Sequence, residues 1–345
     1  MSRFHPLSFD LIEKYKREWG WYRLSYNKNL NWSGELIESF EQRWRWKALS
    51  QNTSLSWTQS LLERYENRWR WGSFGLSSNV GLPWSEQLLE QYKDRWRWGE
   101  NGLSENIELP WSKVLLERYK NRWEWEEGGL SENKELPWTR GLLEYYKNRW
   151  CWGKGGVSQN EGMPWSKEFL EHYEELWYWG LFGLSSNNGL PWSRKFLERY
   201  EEKWNWLGLS GNTELPWSDQ VLKCYEDRWR WDGHGLSKNE GLPWSVELLE
   251  CYRDRWSWGD RGLSRNEELP WSKQLIERYE NRWDWEKHEG FRGLSLNEGL
   301  PWSKRIITHY YDRWNWRSLS LNRAVYEKAF SDHITTRIIH RVFES

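Results

Sequence analysis

Along the segment Leu103–Trp125, LSENIELPWSKVLLERYKNRWEW, apolar side chains fall at Leu115, Leu116, Tyr119 and Trp123, an i, i+1, i+4, i+8 pattern. That spacing draws one stripe on a helix, with Lys113, Arg118, Lys120 and Asn121 on the other side. Ser112 is suited to cap the helix N-terminus, and Pro110 stiffens the entry. Trp111 before the cap and Leu116 four residues into the helix hold the positions of a hydrophobic staple. The pattern predicts an amphipathic helix of roughly 12 residues starting at Ser112.

The pattern recurs with a period of about 27 residues. A tryptophan, usually after proline, recurs from Trp32 to Trp302, and twelve WxW pairs run from Trp19 and Trp21 to Trp314 and Trp316. These three slots hold all 35 tryptophans of the 345-residue chain, so the Trp count reports architecture. Units of this size cannot bury their apolar faces alone and do so by stacking, which predicts one continuous core.

After WxW the chain takes either two residues, as Lys47 and Ala48, or a four-residue insert bounded by glycine, as Gly99 to Gly102. The short form allows a second helix from Trp44 to about Asn52; the long form predicts a bend and a short helical turn carrying LSxN. The expected fold is an all-α, elongated solenoid. The alternative makes WxW a strand and gives an α/β, leucine-rich-repeat-like solenoid. Residues 1–21 read as an N-terminal half-repeat cap with Leu7 in a Trp slot, residues 22–322 as the tandem repeats, and residues 323–345 as a C-terminal helical cap.

Ser and Asn of LSxN stand in all twelve copies, from Ser25 and Asn27 to Ser320 and Asn322. The expected role is structural, with Asn closing a helical turn in left-handed geometry and bonding nearby backbone. Glu63, Glu90 and Glu117 mark another regular slot, and Arg precedes the second Trp slot except at Glu18, Leu176 and Lys203. Two readings of these charges stay open: a Glu to Arg ladder between repeats, or Arg stacked on Trp faces.

The pattern LSxNxxLPWSxxLLExYxxRWxW, which covers nearly the whole chain, resembles the tryptophan-rich tandem arrays of bacteria and, more loosely, of giant viruses. The resemblance implies a repeat array and brings no catalytic or binding residue with it.

Lys plus Arg at 50 against Asp plus Glu at 51 removes the global positive field of nucleic-acid binders and leaves only local patches. No run approaches the roughly 18 apolar residues of a membrane span, and the N-terminus lacks an apolar signal segment. Cys151, Cys224 and Cys251 contain no CxxC and read as free thiols in a cytoplasmic protein. The seven His are scattered, and no nucleotide-binding or hydrolase motif is present, so neither metal, cofactor nor enzymatic activity is expected.

Partner contacts are then sought where repeats differ. The residue inside WxW is the most variable, and Arg45, Arg70, Arg97 and Glu124 are candidates for a row that projects once per repeat. Leu176, Tyr178, Leu181 and Phe182 place apolar groups where sister repeats carry charged or small residues, and Phe74 shares the insert slot of Phe182. The enlarged insert 286–292 reads as a protruding loop. The expectation is a non-enzymatic scaffold for a protein or peptide. A glycan reader using exposed Trp faces is the alternative, and a single-stranded nucleic-acid reader with Arg beside Trp rings is a third, opposed by the balanced charge.

Overall fold

The computed structural model describes residues 5–259, 261–285 and 293–329. Regular structure among them is helical throughout, without a strand, so the strand alternative at WxW is set aside. The chain forms an all-α repeat solenoid and divides into two compact units, Met1–Tyr178 and Trp179–Ser345. No helix among the described residues is long and apolar enough to cross a membrane.

Each repeat opens on a six-residue α-helix such as Lys113–Arg118, whose N-cap Ser112 accepts the Leu115 amide at 3.1 Å. Caps of this kind contribute about 1 kcal/mol each. The helix is half the predicted length. At Tyr119 the backbone leaves helical geometry (φ −116°, ψ 22°). Tighter turns then carry the chain on, with the Arg122 amide donating to Tyr119 at 2.8 Å.

The indoles supply the donors that an unbroken helix would have supplied from its backbone. The Lys120 amide donates to Glu117, and the Leu116 carbonyl instead accepts the Trp123 indole N–H at 3.2 Å. Trp125 donates to Lys120 at 3.1 Å, and Trp111 to Asn106 at 3.0 Å. Each Trp slot thus has its own carbonyl, a task that phenylalanine cannot perform. The rings also interlock between repeats: Trp98 lies 4.5 Å from Tyr119 and 4.8 Å from Trp123, centroid to centroid. Leu115 and Leu116 are fully buried beneath them.

The second element follows insert length. With two residues after WxW it is an α-turn, as at Trp46–Leu49 and Trp206–Gly211. With four residues it is a 3₁₀ turn in most repeats, as at Leu103–Glu105, and a plain turn at Leu130. Apart from the exposed Ser320, Ser and Asn of LSxN are buried and tie neighbouring repeats together. Ser25 Oγ donates to the Trp21 carbonyl at 2.7 Å and accepts the Arg45 amide at 3.0 Å. Asn133 Nδ2 reaches back to the carbonyls of Ser104 at 3.0 Å and Asn106 at 3.3 Å, while its Oδ1 accepts the Glu135 amide at 3.0 Å. The expected structural role holds, but the left-handed geometry does not. Asn106 is extended (φ −75°, ψ 115°), a conformation in which Nδ2 reaches the Ser77 carbonyl at 3.1 Å while Oδ1 accepts the Glu108 amide at 3.0 Å.

The structure resolves the two readings of the charged slots. The Arg122 guanidinium lies 5.5 Å over the Trp98 ring, donates to the Lys93 carbonyl at 2.7 Å and pairs with Asp94 at 3.0 Å. Lys203 takes the same place 5.2 Å over Trp179. In some repeats the regular glutamate serves the tyrosine column: Tyr173 donates to Glu144 at 2.7 Å, and Tyr119 likewise to Glu90; in others it pairs with a cation, as Glu277 with Lys273 at 2.9 Å. Burial first, and then the facing Glu144 carboxylate, push the Tyr173 hydroxyl up to about 12.

At the N-terminus Ser8 caps Phe9–Lys14 and Leu7 is buried in its Trp slot. A helix Arg323–Ala329 follows the last repeat, burying Ala324 and Val325. The rest of the predicted C-terminal cap, 330–345, and the enlarged insert 286–292 lie outside the described residues.

Candidate functional site on the insert face

The insert between WxW and LSxN changes in length and residue type from repeat to repeat while the frame around it stays fixed. The Leu103 amide closes the loop on the Arg97 carbonyl at 2.8 Å. A Cβ on Gly102 would sit 2.2 Å from that carbonyl oxygen, so this slot needs glycine. The residue before it is left-handed in five repeats: Phe74 (φ 51°), Asn101 (55°), Gly128 (72°), Gly155 (65°) and Phe182 (63°). Glycine and asparagine suit that conformation, whereas a bulky side chain there costs on the order of 1–2 kcal/mol. Phe74 is nevertheless 57% and Phe182 44% exposed.

The variable residue inside WxW has a fixed backbone task and a free choice of side chain. Its amide donates to the buried serine of the preceding repeat, at 2.9 Å from Arg70, 2.9 Å from Arg97 and 3.0 Å from Glu124. Arg45 is exposed. The exposed Arg70 and Arg97 fold onto their own inserts, Nε donating to Ser73 at 2.8 Å and to Glu100 at 2.6 Å. Glu124 is half-buried and accepts the Glu126 amide at 3.5 Å. Leu176 and Tyr178 are both exposed and belong to the first compact unit; the half-buried Leu181 and exposed Phe182 belong to the second.

Sequence reasoning missed a notch in the second unit. The repeat after Trp206 has the short insert and the repeat after Trp231 the long one, so a loop stands beside a position where its neighbour has none. The step leaves an open cavity of about 740 Å³, lined among others by Gly211, His234, Lys238, Glu240, Arg261 and Arg265. His234, Lys238 and Arg261 are exposed and Arg265 half-buried. Arg261 Nη1 lies 3.3 Å from His234 Nε2. Among the described residues no carboxylate pairs with Lys238, Arg261 or Arg265; Asp260 lies outside them. The loop is held from beneath by Asp232, which accepts the His234 amide at 3.0 Å and pairs with Arg230 at 2.7 Å. Against the burial that pushes it up, these two partners hold its carboxyl below the ordinary range. The signal in the sequence was the change of insert length followed by cations at aligned slots.

Among the described residues no three His, Cys, Asp or Glu side chains gather as a metal site. Cys151, Cys224 and Cys251 are free thiols; burial first raises that of Cys151, which disfavours its reactive thiolate. Of the tryptophans described, only Trp316 is substantially open to solvent, at 47%. No family model, characterised protein or solved structure matches the chain.

Proposed function

We propose that the chain is a non-enzymatic cytoplasmic scaffold, a member of the tryptophan-rich array type it resembles, which binds another protein or peptide through its insert face. The observation that carries this reading is Phe74: an aromatic ring more than half exposed, on a backbone conformation that glycine fills in sister repeats. A bulky residue at a strained and solvated position weakens the fold, and contact with a partner gives a reason for it to be there. Aromatic anchors dominate such contacts. Phe182 repeats the arrangement in the second unit. The glycan reading needs open indole faces, which only Trp316 supplies, and Arg70 and Arg97 are already engaged by their own loops.

The test is affinity capture from lysate of the source organism, read by mass spectrometry, with the native chain against a Phe74→Gly, Phe182→Gly variant. A protein retained by the native chain and lost by an equally folded variant supports the reading. The same proteins on both, or none on either, sink it.

A further inference from the structure

The notch in the second unit carries an inference independent of the scaffold reading. The same step from short to long insert occurs twice, after Trp46 and after Trp206, and aligning the two on LSxN shows what is particular to the second. At the first step Gln51 reaches across and donates its Nε2 to the Phe74 carbonyl, filling the notch. At the second step the aligned residue is Gly211, where a Cβ would lie 3.9 Å from the corresponding His234 carbonyl. The missing side chain leaves the space open. The lining changes sign as well: His234, Lys238, Arg261 and Arg265 stand where the first step has Phe74, Ser78, Asn101 and Glu105.

Among the described lining residues three cationic side chains stand with one carboxylate, Glu240, around an open concavity. Other arginines of the second unit form ion pairs with the preceding repeat, as Arg255 with Glu226 at 3.1 Å and Arg282 with Asp254 at 3.1 Å. Like charges held together, with no carboxylate paired to them among the described residues, repel and gain from an anion between them. Two guanidiniums and an ammonium match phosphate oxygens in geometry and charge. The volume of about 740 Å³ is that of a small-molecule site, which lie at roughly 300–1,000 Å³.

We propose that the notch bounded by Gly211, Lys238, Arg261 and Arg265 binds the phosphate groups of a small, multiply charged phosphate compound. Lys238, Arg261 and Arg265 supply the charge, and His234 adds a donor on the rim. Gly211 supplies the space.

The test is calorimetric titration of the full-length chain with inorganic tripolyphosphate and, separately, ATP, at about 0.15 M salt, where weak surface attraction is largely screened. Saturable one-site binding is expected. Lys238→Ser, Arg261→Asn and Arg265→Glu install the residues of the first step, which the repeat already accommodates; together they should weaken binding roughly tenfold or more, as expected for lost charge-assisted bonds. Gly211→Gln leaves every cation in place and should weaken binding by obstruction alone, so the proposal stays testable even if the triple variant is unstable. Tighter binding of ATP than of tripolyphosphate would show that the notch also holds a nucleoside, and equal binding that it reads phosphate only; both support the site. Absence of saturable binding to either probe, or native affinity in Gly211→Gln, overturns it.

Discussion

The two steps from short to long insert are built on one frame and present opposite chemistries. Beneath both, Asn79 and Asn239 reach the preceding repeat's serine carbonyl at 2.9 Å, and Trp69 and Trp229 close the carbonyls of Leu62 and Leu222 at 3.2 and 3.1 Å. Above the frame, the first step shows solvent Phe74 and, in the next slots, the exposed Val80 and Ile107. The second shows His234, Glu240 and Glu267 at those positions. The stack therefore fixes where each side chain emerges and leaves its chemistry open. Two neighbourhoods with equal stacking can differ in ligand class without a change of fold.

The largest expected effect tests the shared frame. Burial first raises the hydroxyls of Tyr65 and Tyr92 near the first step and of Tyr225 and Tyr252 near the second. For Tyr279, burial and then Glu250 push the hydroxyl up to about 12. A tyrosine raised in the fold stabilises it fully below its unfolded value of about 10, and that contribution disappears as pH climbs through the folded value. Both units should therefore lose structure between about pH 10 and 12, visible as a red shift of tryptophan emission. A fold unchanged above that window, or lost well below it, would contradict the tyrosine column.

Next in size are the ladder and the indoles. Asn79→Ala strands the Ser50 carbonyl and the Gly81 amide, and Asn239→Ala the Ser210 carbonyl and the Gly241 amide, each amide bonded at 2.8 Å; the Asn52 and Asn212 carbonyls keep the Trp57 and Trp217 indoles. Each should cost about 3 kcal/mol in denaturant unfolding. Trp69→Phe and Trp229→Phe keep a ring but orphan one buried carbonyl, with an expected loss of about 2 kcal/mol each. Within each pair the two losses should agree to about 1 kcal/mol; a larger gap would mean that the two steps do not share a frame.

Much of this frame is legible in the sequence. Period, cap and apolar stripe place the helix at Ser112, and recurrence in every copy marks Ser and Asn of LSxN as structural. Helix length was not legible, because the break at Tyr119 carries neither glycine nor proline and the apolar spacing runs straight through it. The partners of the asparagine were hidden for a different reason: they lie 29 and 27 residues away, as Ser104 and Asn106 do from Asn133. On the surface, Phe74 could be found by aligning insert slots. The notch could not be found from any one repeat, since Lys238 and Arg265 are unremarkable within their own units and converge only because Gly211 belongs to a shorter one.

The smallest effect separates the two steps most cleanly. Phe74 is left-handed, and Phe74→Gly removes a strain of about 1–2 kcal/mol. Glycine gives back roughly 0.4–1 kcal/mol by loosening the unfolded chain. The net should be stabilisation of up to about 1.5 kcal/mol, read as a raised denaturant midpoint. At the second step the aligned His234 does not have a positive φ. His234→Gly therefore relieves nothing and should lower stability by several tenths of a kcal/mol through the same loosening of the unfolded state. Opposite signs at aligned positions would identify Phe74 as a residue kept at the expense of the fold. If Phe74→Gly is destabilising, its ring is packing against the array and the contact role proposed for it fails.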